Sequence, residues 1–442
     1  MSSASHSGKT FRVRAQRGIV RVFLFAAMLI GFGASSAWSV RLACADYWFR
    51  QQTLRGTEKA LAFTPGQADY YVRLALLESG DNKPAAMEAL KHAAALNPSD
   101  AQTWIELGLR YEAEGASPVA ERCAEQCLLR AAEEDRQYLP RWTLANYYFR
   151  ASQIDRFWFW AKQAAEMAPG DPAPLFRLCG RVAEDGALIN RLNIGRADVR
   201  AAYVSYLLSQ GRLDLMGPAS RLLLNTKRVN TKRASDVPLL LTVCDRLLES
   251  KRLAGALEIW NGLADGRQIP FARLQVTDGK VLTNGDFRFP PTSRGFDWRL
   301  PTVGGVSASI DEGGGLRLTL SGSQPENCEL LIQLVPVQEK TNYELKFEYQ
   351  TDGIGPGSGL EWRITDQNGS RTLDIDAHSL SSERERQGKV SFVSPASMVP
   401  ADRQIARMAL TYKRVPGTTR IEGFIVLRRV ELHATSVALQ HS

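Results

Sequence analysis

A long uncharged segment near the N-terminus constrains the fold more than any other feature of the sequence. Residues 22–40 contain no charged side chain, and the first thirteen of them, VFLFAAMLIGFGA, are almost all apolar. Nineteen residues in a helix span about 30 Å, which matches the hydrocarbon core of a bilayer. We therefore predict a transmembrane signal anchor over residues 22–40.

The charge before this segment predicts its orientation. Residues 1–21 form a basic tail without an acidic residue, and its cations are Lys9, Arg12, Arg14, Arg17 and Arg21. Basic flanks stay on the cytoplasmic side of a membrane, so we expect a single-pass protein of the bacterial inner membrane with its C-terminal bulk periplasmic or otherwise extracytoplasmic. Removing these five cations from the net charge of +8 leaves +3. Because the excess charge is local, it does not support nucleic-acid binding.

A cleaved signal peptide is the alternative interpretation of the same residues. Ser35, Ser36 and Ala37 have the small side chains that are typical of a cleavage site. Cleavage there would release a secreted protein, whereas an uncleaved helix would keep the chain anchored. The apolar run and the small polar stretch after it are together long enough to span a bilayer, which favours the anchor.

An internal repeat begins a few residues after the membrane segment. Trp104, Leu107, Gly108 and Tyr111 have the tryptophan, leucine-glycine and tyrosine spacing of the tetratricopeptide repeat (TPR). Pro98 lies six residues before the tryptophan, where a proline ends one helix and resets the turn. The chain therefore resembles TPR proteins, in which helical hairpins stack because none of them can bury its apolar face alone.

This resemblance implies an all-α, TPR-like solenoid over residues 44–265, with about ten to twelve helices. It also implies that the array binds a protein or peptide in a groove formed mostly by the first helix of each hairpin. The first helices offer five candidate partner-binding residues, which are Tyr70, Arg73, Arg110, Asn146 and Arg150.

The hydrophobic period changes from helical to alternating in the C-terminal third. In residues 343–349, Tyr, Leu, Phe and Tyr alternate with Glu, Lys and Glu, which is typical of a strand with one buried face. Similar strands recur between turn-forming Asp-Gly, Asn-Gly and Pro-Gly pairs. We predict an antiparallel all-β sandwich over residues 282–434, preceded by a linker at 266–281 and followed by a tail at 435–442.

The start of this segment resembles the opening of jelly-roll carbohydrate-binding modules and their galactose-binding-like relatives. The resemblance is carried by the NGDF motif at 284–287, by Gly295 and Trp298, and by the closing strand GFIVLRRVEL. It implies a jelly-roll sandwich that contacts a glycan or a second protein. Sugar recognition also needs polar groups on an exposed surface, and the glycan-binding candidates are Glu361, Arg363 and Asp366.

The same resemblance raises the question of a bound metal. Many such modules hold a structural calcium between the opening loop and the last strand, and Asp286 and Glu431 are the matching carboxylates here. The family often has an acidic residue after the phenylalanine, whereas this chain has Arg288, and a cation at that place opposes calcium. We therefore predict no resident cofactor. A structural calcium at Asp286 and Glu431 is the alternative. The simplest role for Asp286 is to cap a turn.

Signals of catalysis are weak. The glycine-rich residues 353–360 lack the lysine of a phosphate-binding loop and lie between predicted strands. The five histidines are too far apart in sequence to form a metal-binding pair. Two carboxylates for glycoside cleavage can be nominated, for example Glu361 with Asp374, but the sequence does not show their separation. We expect that the protein is not an enzyme.

Together these features predict a membrane-anchored, non-enzymatic scaffold protein of the cell envelope. In this interpretation the array binds a protein partner, and the sandwich contacts polysaccharide during assembly or export of cell-surface polysaccharide. One alternative is a secreted glycan-binding protein with a cleaved signal peptide. A second is a glycosidase or lyase in the sandwich domain, and a third is a sandwich without any ligand.

Overall fold

The computed structural model describes residues 10–435, except for 79, 81, 116, 193, 225–235, 356, 370, 374–379, 381–385 and 395–402. The chain divides into two compact units, Met1–Gly170 and Asp171–Ser442. Helices make up the described part of the first unit, and the second unit contains helices followed by strands. Each unit is described separately below.

The first helix, α1 (Thr10–Phe49), contains the predicted membrane segment. Within Val20–Phe49, the most apolar stretch of 18 residues has a mean hydropathy of 1.7, and none of that stretch is buried. The helix is therefore long and apolar enough to be a membrane span or a signal sequence. It continues without a break to Phe49, and its last residues pack against α2 (Leu54–Phe63), where the ammonium group of Lys59 lies 3.7 Å from the ring centre of Trp48.

Three further helical hairpins complete the first unit. In each one, two consecutive helices pack against each other along their length. The pairs are α3 (Ala68–Glu78) with α4 (Lys83–Leu96), α5 (Ala101–Ala113) with α6 (Pro118–Glu134), and α7 (Tyr138–Arg150) with α8 (Ile154–Met167).

The repeat positions explain how these hairpins close. Gly108 on α5 lies so near α6 that a Cβ atom there would be 2.8 Å from the side chain of Leu128. The Nε1 atom of Trp104 donates to the carbonyl of Pro98 at 2.8 Å, which ties the start of α5 to the turn before it. Residues of α3, α4, α5 and α6 share one buried cluster, so adjacent hairpins stack. The structure confirms the predicted TPR-like array of hairpins.

The helices of the second unit are less regular. They are α9 (Ala173–Cys179), α10 (Asp185–Leu192), α11 (Ala197–Ser209), α12 (Met216–Leu224), α13 (Asp236–Glu249) and α14 (Leu253–Asp265). The described part of residues 44–265 thus holds thirteen helices from α2 to α14, against the ten to twelve expected. The short helices α9 and α10 explain the excess, because a 34-residue repeat of two full helices has no place for them.

The predicted linker at 266–281 is a packed segment. The side-chain amide of Asn261 on α14 donates to the carbonyl of Leu274 at 3.0 Å and accepts from its N–H at 2.8 Å. Ile269, Phe271 and Leu274 are buried. The chain between the last helix and the first strand is therefore held in place by α14.

In the residues that the structure describes, eight strands form two antiparallel sheets. Their bounds are β1 (Val306–Ile310), β2 (Leu316–Ser321), β3 (Asn327–Gln338), β4 (Asn342–Asp352), β5 (Leu360–Asp366), β6 (Arg386–Val393), β7 (Arg403–Lys413) and β8 (Glu422–Thr435). One sheet has the order β1-β2-β8-β4-β6 and the other β3-β7-β5. Their inner faces pack together, with ring centres of Phe347 and Trp362 5.9 Å apart. A β-sandwich therefore follows the helices, as predicted.

The hairpin of α13 and α14 packs on the outer side of the three-stranded sheet. Ala409 and Thr411 of β7 point away from the sandwich core, yet they are only 3% and 7% exposed. The helix in contact with this strand is α14, and Gln367, which follows β5, donates to the carbonyl of Leu248 on α13. In the described part of the chain no helix makes comparable contact with the five-stranded sheet. Among the described residues, outward side chains of this sheet are exposed, as Lys346 on β4, Lys389 on β6 and Arg429 on β8 show. This side is called the open outer face below.

Candidate functional site

Two of the predicted partner-binding residues lie around the C-terminal end of α1. The ring centre of Tyr70 on α3 is 4.5 Å from that of Phe49, the last residue of α1. The guanidinium carbon of Arg73 is 5.6 Å from the same ring, which is the range of a cation–π contact. Both side chains are half-buried. They hold α1 against the array while part of each surface stays accessible.

Two arginines connect successive first helices of the hairpins. Arg110 on α5 donates from Nη2 to the carbonyl of Ala75 on α3 at 3.1 Å. Arg150 on α7 forms a bidentate ion pair with Glu112 on α5, with both N–O distances at 2.7 Å. The planar guanidinium suits this paired geometry. The helices α3, α5 and α7 therefore form one row that is joined by polar contacts.

The fifth candidate, Asn146, is engaged within its own helix. Its Nδ2 atom donates to the carbonyl of Trp142 at 2.8 Å, and the side chain is half-buried. The structure thus places all five candidates on α3, α5 and α7, with part of each bound to the array itself. Sequence reasoning missed the partners Phe49 and Glu112. An acidic residue about one repeat before Arg150 was the available signal for Glu112.

The glycan-binding candidates on β5 are engaged with each other or with a turn. Nη2 of Arg363 lies 2.6 Å from Oε1 of Glu361, and both residues are on the outward side of the three-stranded sheet. Oδ1 of Asp366 accepts from the N–H of Arg371 at 3.1 Å, which closes the turn after β5. Asp374, nominated with Glu361 as a catalytic pair, lies outside the described residues. The outward side that these residues occupy is the side on which α14 packs.

The opening NGDF motif belongs to a hydrogen-bond network that runs from exposed Asn284 bonds to the buried Asp297, which lies 3.3 Å from the Asn284 side-chain amide. Asn284 has a φ of +51°. Its side chain donates to the carbonyl of Phe289 at 2.7 Å and accepts from the same residue's N–H at 3.2 Å. Asp297 is fully buried and accepts from the N–H and hydroxyl of Thr292 at 2.7 and 2.8 Å. Burial raises the pKa of Asp297. In this protein the motif shapes the loop that precedes the sandwich.

The two calcium candidates each lie beside a cation. Oδ1 of Asp286 accepts from the N–H of Arg288 at 3.4 Å, and the Arg288 guanidinium is 3.4 Å from Oδ2. Glu431 lies 3.1 Å from the ring of His433 and 3.5 Å from Arg429. Among the residues that the structure describes, no three metal-ligating side chains are grouped closely enough to hold an ion. Asp286 does cap a turn.

Two clefts lie along the five-stranded sheet, and sequence reasoning missed both. The first has a volume of about 710 Å³ and crosses β4, β6 and β8 on the open outer face. The second has a volume of about 700 Å³ and lies between residues 278–286 and the end of β8. Arg429 and Glu431 line both clefts, so the two adjoin. The alternating charges in β4, β6 and β8 were the signal that could have indicated this surface.

No protein-family model and no curated protein matches the chain. Solved structures similar to parts of it include a CBM4 structure, with 13% identity, a TM-score of 0.26, and coverage of 34% of this chain and 98% of that chain. Pseudomonas aeruginosa PilF has 16% identity, a TM-score of 0.24, and coverage of 53% and 93%. YrrB, a TPR protein with an unusual peptide-binding site, has 15% identity, a TM-score of 0.23, and coverage of 47% and 91%. With TM-scores this low, the assignment of a TPR-like helical region followed by antiparallel sheets rests on the contacts described above.

Proposed function

We propose that the protein is a membrane-anchored interaction protein whose helical array binds a protein or peptide partner along α3, α5 and α7. The observation that carries this proposal is the continuity of α1. One helix contains the apolar segment and also ends, at Phe49, in contact with Tyr70 and Arg73 of the first of these helices. The proposed binding row would therefore begin where the membrane helix ends.

The helical geometry at Ser35, Ser36 and Ala37 supports the anchor over a cleaved signal peptide. The hydroxyl of Ser39 donates to the carbonyl of Ser35 at 2.9 Å, and α1 continues through all three small residues. We expect the mature protein to keep residues 1–37 and to remain in membranes after alkaline carbonate extraction. Mass spectrometry of the N-terminus tests this, and loss of residues 1–37 would favour the secreted alternative. A C-terminal reporter that is active only in the cytosol would contradict the periplasmic orientation in the inner membrane.

Site-specific photocrosslinking in cells tests the proposed binding row. Leu76 is 49% exposed and lies three residues after Arg73, so it shares a face of α3 with that candidate. Phe159 is 60% exposed but lies on α8, a second helix, and serves as the matched control. We expect a photoreactive residue at 76 to capture a discrete partner and one at 159 not to do so. The substitution Arg73→Glu should reduce the capture from position 76. Equal capture at both positions would contradict a groove on the first helices.

We also propose that the sandwich contacts a glycan and that the protein takes part in assembly or export of cell-surface polysaccharide. The open face of the five-stranded sheet, with its two adjoining clefts, supports this second part. A deletion strain is expected to have less surface polysaccharide and to recover with the full-length gene. The alternative of a glycosidase or lyase requires turnover, and release of sugar products that persists through repeated purification would contradict a non-enzymatic role.

A further inference from the structure

The outward side chains of three neighbouring strands form a charged grid. In the five-stranded sheet β4 lies between β8 and β6, and the antiparallel register aligns their outward residues across the strands. The grid has two rows, which are Glu431-Lys346-Lys389 and Arg429-Glu348-Gln387. The first cleft crosses this grid. Its lining therefore includes polar side chains that the strands hold at fixed spacing.

The accessible charge on this grid is positive. The side chains of Lys346, Lys389 and Arg429 are each more than half exposed. Glu344 is only 18% exposed and lies 3.2 Å from Lys346 and 3.5 Å from Lys389. Its hydrogen bond with Lys346 holds the pKa of Glu344 below the usual range, so this carboxylate stays ionised. It positions both ammonium groups at the surface while its own oxygens are mostly covered.

Each cleft also contains a cation that forms no ion pair with any described residue. Arg386 lines the first cleft and Lys280 lines the second. The carboxylates of the lining have partners already. Glu348 accepts a hydrogen bond from Gln387 at 3.1 Å, and Asp278 accepts one from the hydroxyl of Thr277 at 3.0 Å. Asp286 pairs with Arg288. Glu431 lies beside His433 and Arg429. A hydrogen bond from an amide or a hydroxyl leaves a carboxylate charged, so the numbers of charged side chains in each described lining decide the balance. The first cleft has four cations, Lys346, Arg386, Lys389 and Arg429, against the two carboxylates of Glu348 and Glu431. The second has three of each sign, so the described lining is net cationic in the first cleft and balanced in the second.

We propose that the two adjoining clefts form one trough that binds an extended acidic polysaccharide, with most of its carboxylates on the cations of the first cleft (Lys346, Lys389, Arg429 and, at the edge of β6, Arg386) and one on Lys280 in the second. This inference rests on the proposed contact between the sandwich and a glycan. A chain with a carboxylate on each sugar matches separate cations along a trough, and guanidinium groups pair well with carboxylates. The aromatic residues of the lining, Phe347 and Tyr349, are buried, so recognition depends on charge and not on stacking against sugar rings.

Affinity electrophoresis of the full-length protein in mild detergent tests the proposal. One gel contains polygalacturonate and the other the same polymer after full methyl esterification, both with a chelator, so that the two probes share one sugar backbone and only the first is charged. We expect retardation by the charged polymer only. The double substitution Lys280→Gln and Arg386→Gln should weaken this binding about tenfold, since each lost ion pair contributes a modest share. Lys162→Gln with Arg246→Gln removes the same charge from exposed helix positions and should leave binding unchanged.

The possible outcomes separate this inference from the function on which it rests. Equal retardation by the esterified polymer would overturn recognition of acidic sugars and leave a glycan contact in place. No retardation by either polymer would also overturn the acidic trough, while the glycan contact is tested by the deletion strain and partner capture by the array is measured independently. An equal loss in the control variant, or equal binding of double-stranded DNA, would show a general polyanion surface and overturn the proposed trough.

Discussion

Gly295, in the loop before the sandwich, provides the space into which Trp260 of α14 packs. A Cβ atom on Gly295 would lie 2.5 Å from Cζ3 and 2.6 Å from Cε3 of the indole ring. Trp260 is fully buried, stacks on Phe271 with ring centres 5.6 Å apart, and meets Phe296 edge-on at 5.8 Å. The last helix and the loop that resembles a carbohydrate-binding module therefore share one hydrophobic core.

Replacing this glycine is expected to loosen α14 from the sandwich. Gly295→Ala should destabilise the second unit by about 2–4 kcal/mol, because its φ of +55° and the collision with a rigid ring both oppose a side chain. Native-state hydrogen exchange of the α13 and α14 amides measures the change. Gly304→Ala is the control, since no atom lies within 4 Å of its Cβ position. Unchanged protection in Gly295→Ala would contradict the packing described here.

Asp245 on α13 makes the polar part of the same contact. Its Oδ1 atom accepts from the N–H of Gly295 at 2.8 Å and from Arg299 at 2.7 Å, and Oδ2 lies 3.3 Å from Arg294. Asp245→Ala would leave a backbone N–H and a half-buried guanidinium without their acceptor. We expect a loss of about 2–4 kcal/mol in the free energy of unfolding of the second unit.

Hydrogen exchange in α13 also measures the effect of Asp245→Ala. The matched control is Asp265→Ala, because Asp265 pairs with Arg273 at 3.2 Å while both side chains are more than half exposed. An exposed pair contributes about 1 kcal/mol or less. Similar losses in the two variants would mean that Asp245 has no special role in holding the hairpin on the sandwich.

Acid is expected to remove the contribution of Asp311. This carboxylate lies 2.8 Å from Arg317 and 3.0 Å from Arg428, and its bond with Arg317 lowers the pKa of Asp311. Because the folded pKa is below the unfolded value of about 4, the group stabilises the fold above that pH. The stabilisation is lost as the pH falls through the folded pKa. The Tm of Asp311→Asn should thus be lower than that of the parent at pH 7, and the gap should close in acid. A gap that widens in acid would contradict this assignment.

Three thiols should resist alkylation in the folded protein. Burial raises the pKa of Cys127 to about 11 and that of Cys179 to about 12, and it also raises the pKa of Cys244. The thiolate is the reactive form, so iodoacetamide at pH 8 should spare these residues until the chain is unfolded. Mass spectrometry of native and denatured samples measures this difference. Rapid native modification of Cys244, which is fully buried behind Gly295, would show that α13 opens easily.

Calcium is expected to leave the Tm of the protein unchanged. Asp286 and Glu431 are each neutralised by a neighbouring cation, and Arg288 occupies the place where the resembled modules often have an acidic residue. Thermal unfolding with calcium and with a chelator tests this expectation. Arg288→Asp is the informative comparison, because it removes the opposing charge and should create a calcium response. A rise in Tm of the unaltered chain would support the alternative of a structural calcium.

Local patterns in the sequence were sufficient to predict the element types and their order. The uncharged residues 22–40, the spacing of Trp104 and Gly108, and the alternation in residues 343–349 each depend on neighbours within one or two turns or strands. Hydrophobic period alone decides between helix and strand at such places. The outward position of Glu361 and Arg363 followed from the same alternation. What these residues contact did not follow, because a partner on another strand or helix leaves no mark on the local pattern.

The sequence by itself determined an apolar N-terminal helix, an array of helical hairpins and an antiparallel sandwich, because each is specified by a short periodic signal. Only the tertiary structure decided that Trp260 fills the space left by Gly295, that Asp245 binds Arg299, and that the clefts adjoin at Arg429. These contacts join residues that are far apart along the chain, and their energy depends on shape and burial. No periodicity encodes that complementarity, so it becomes visible only when the elements have packed.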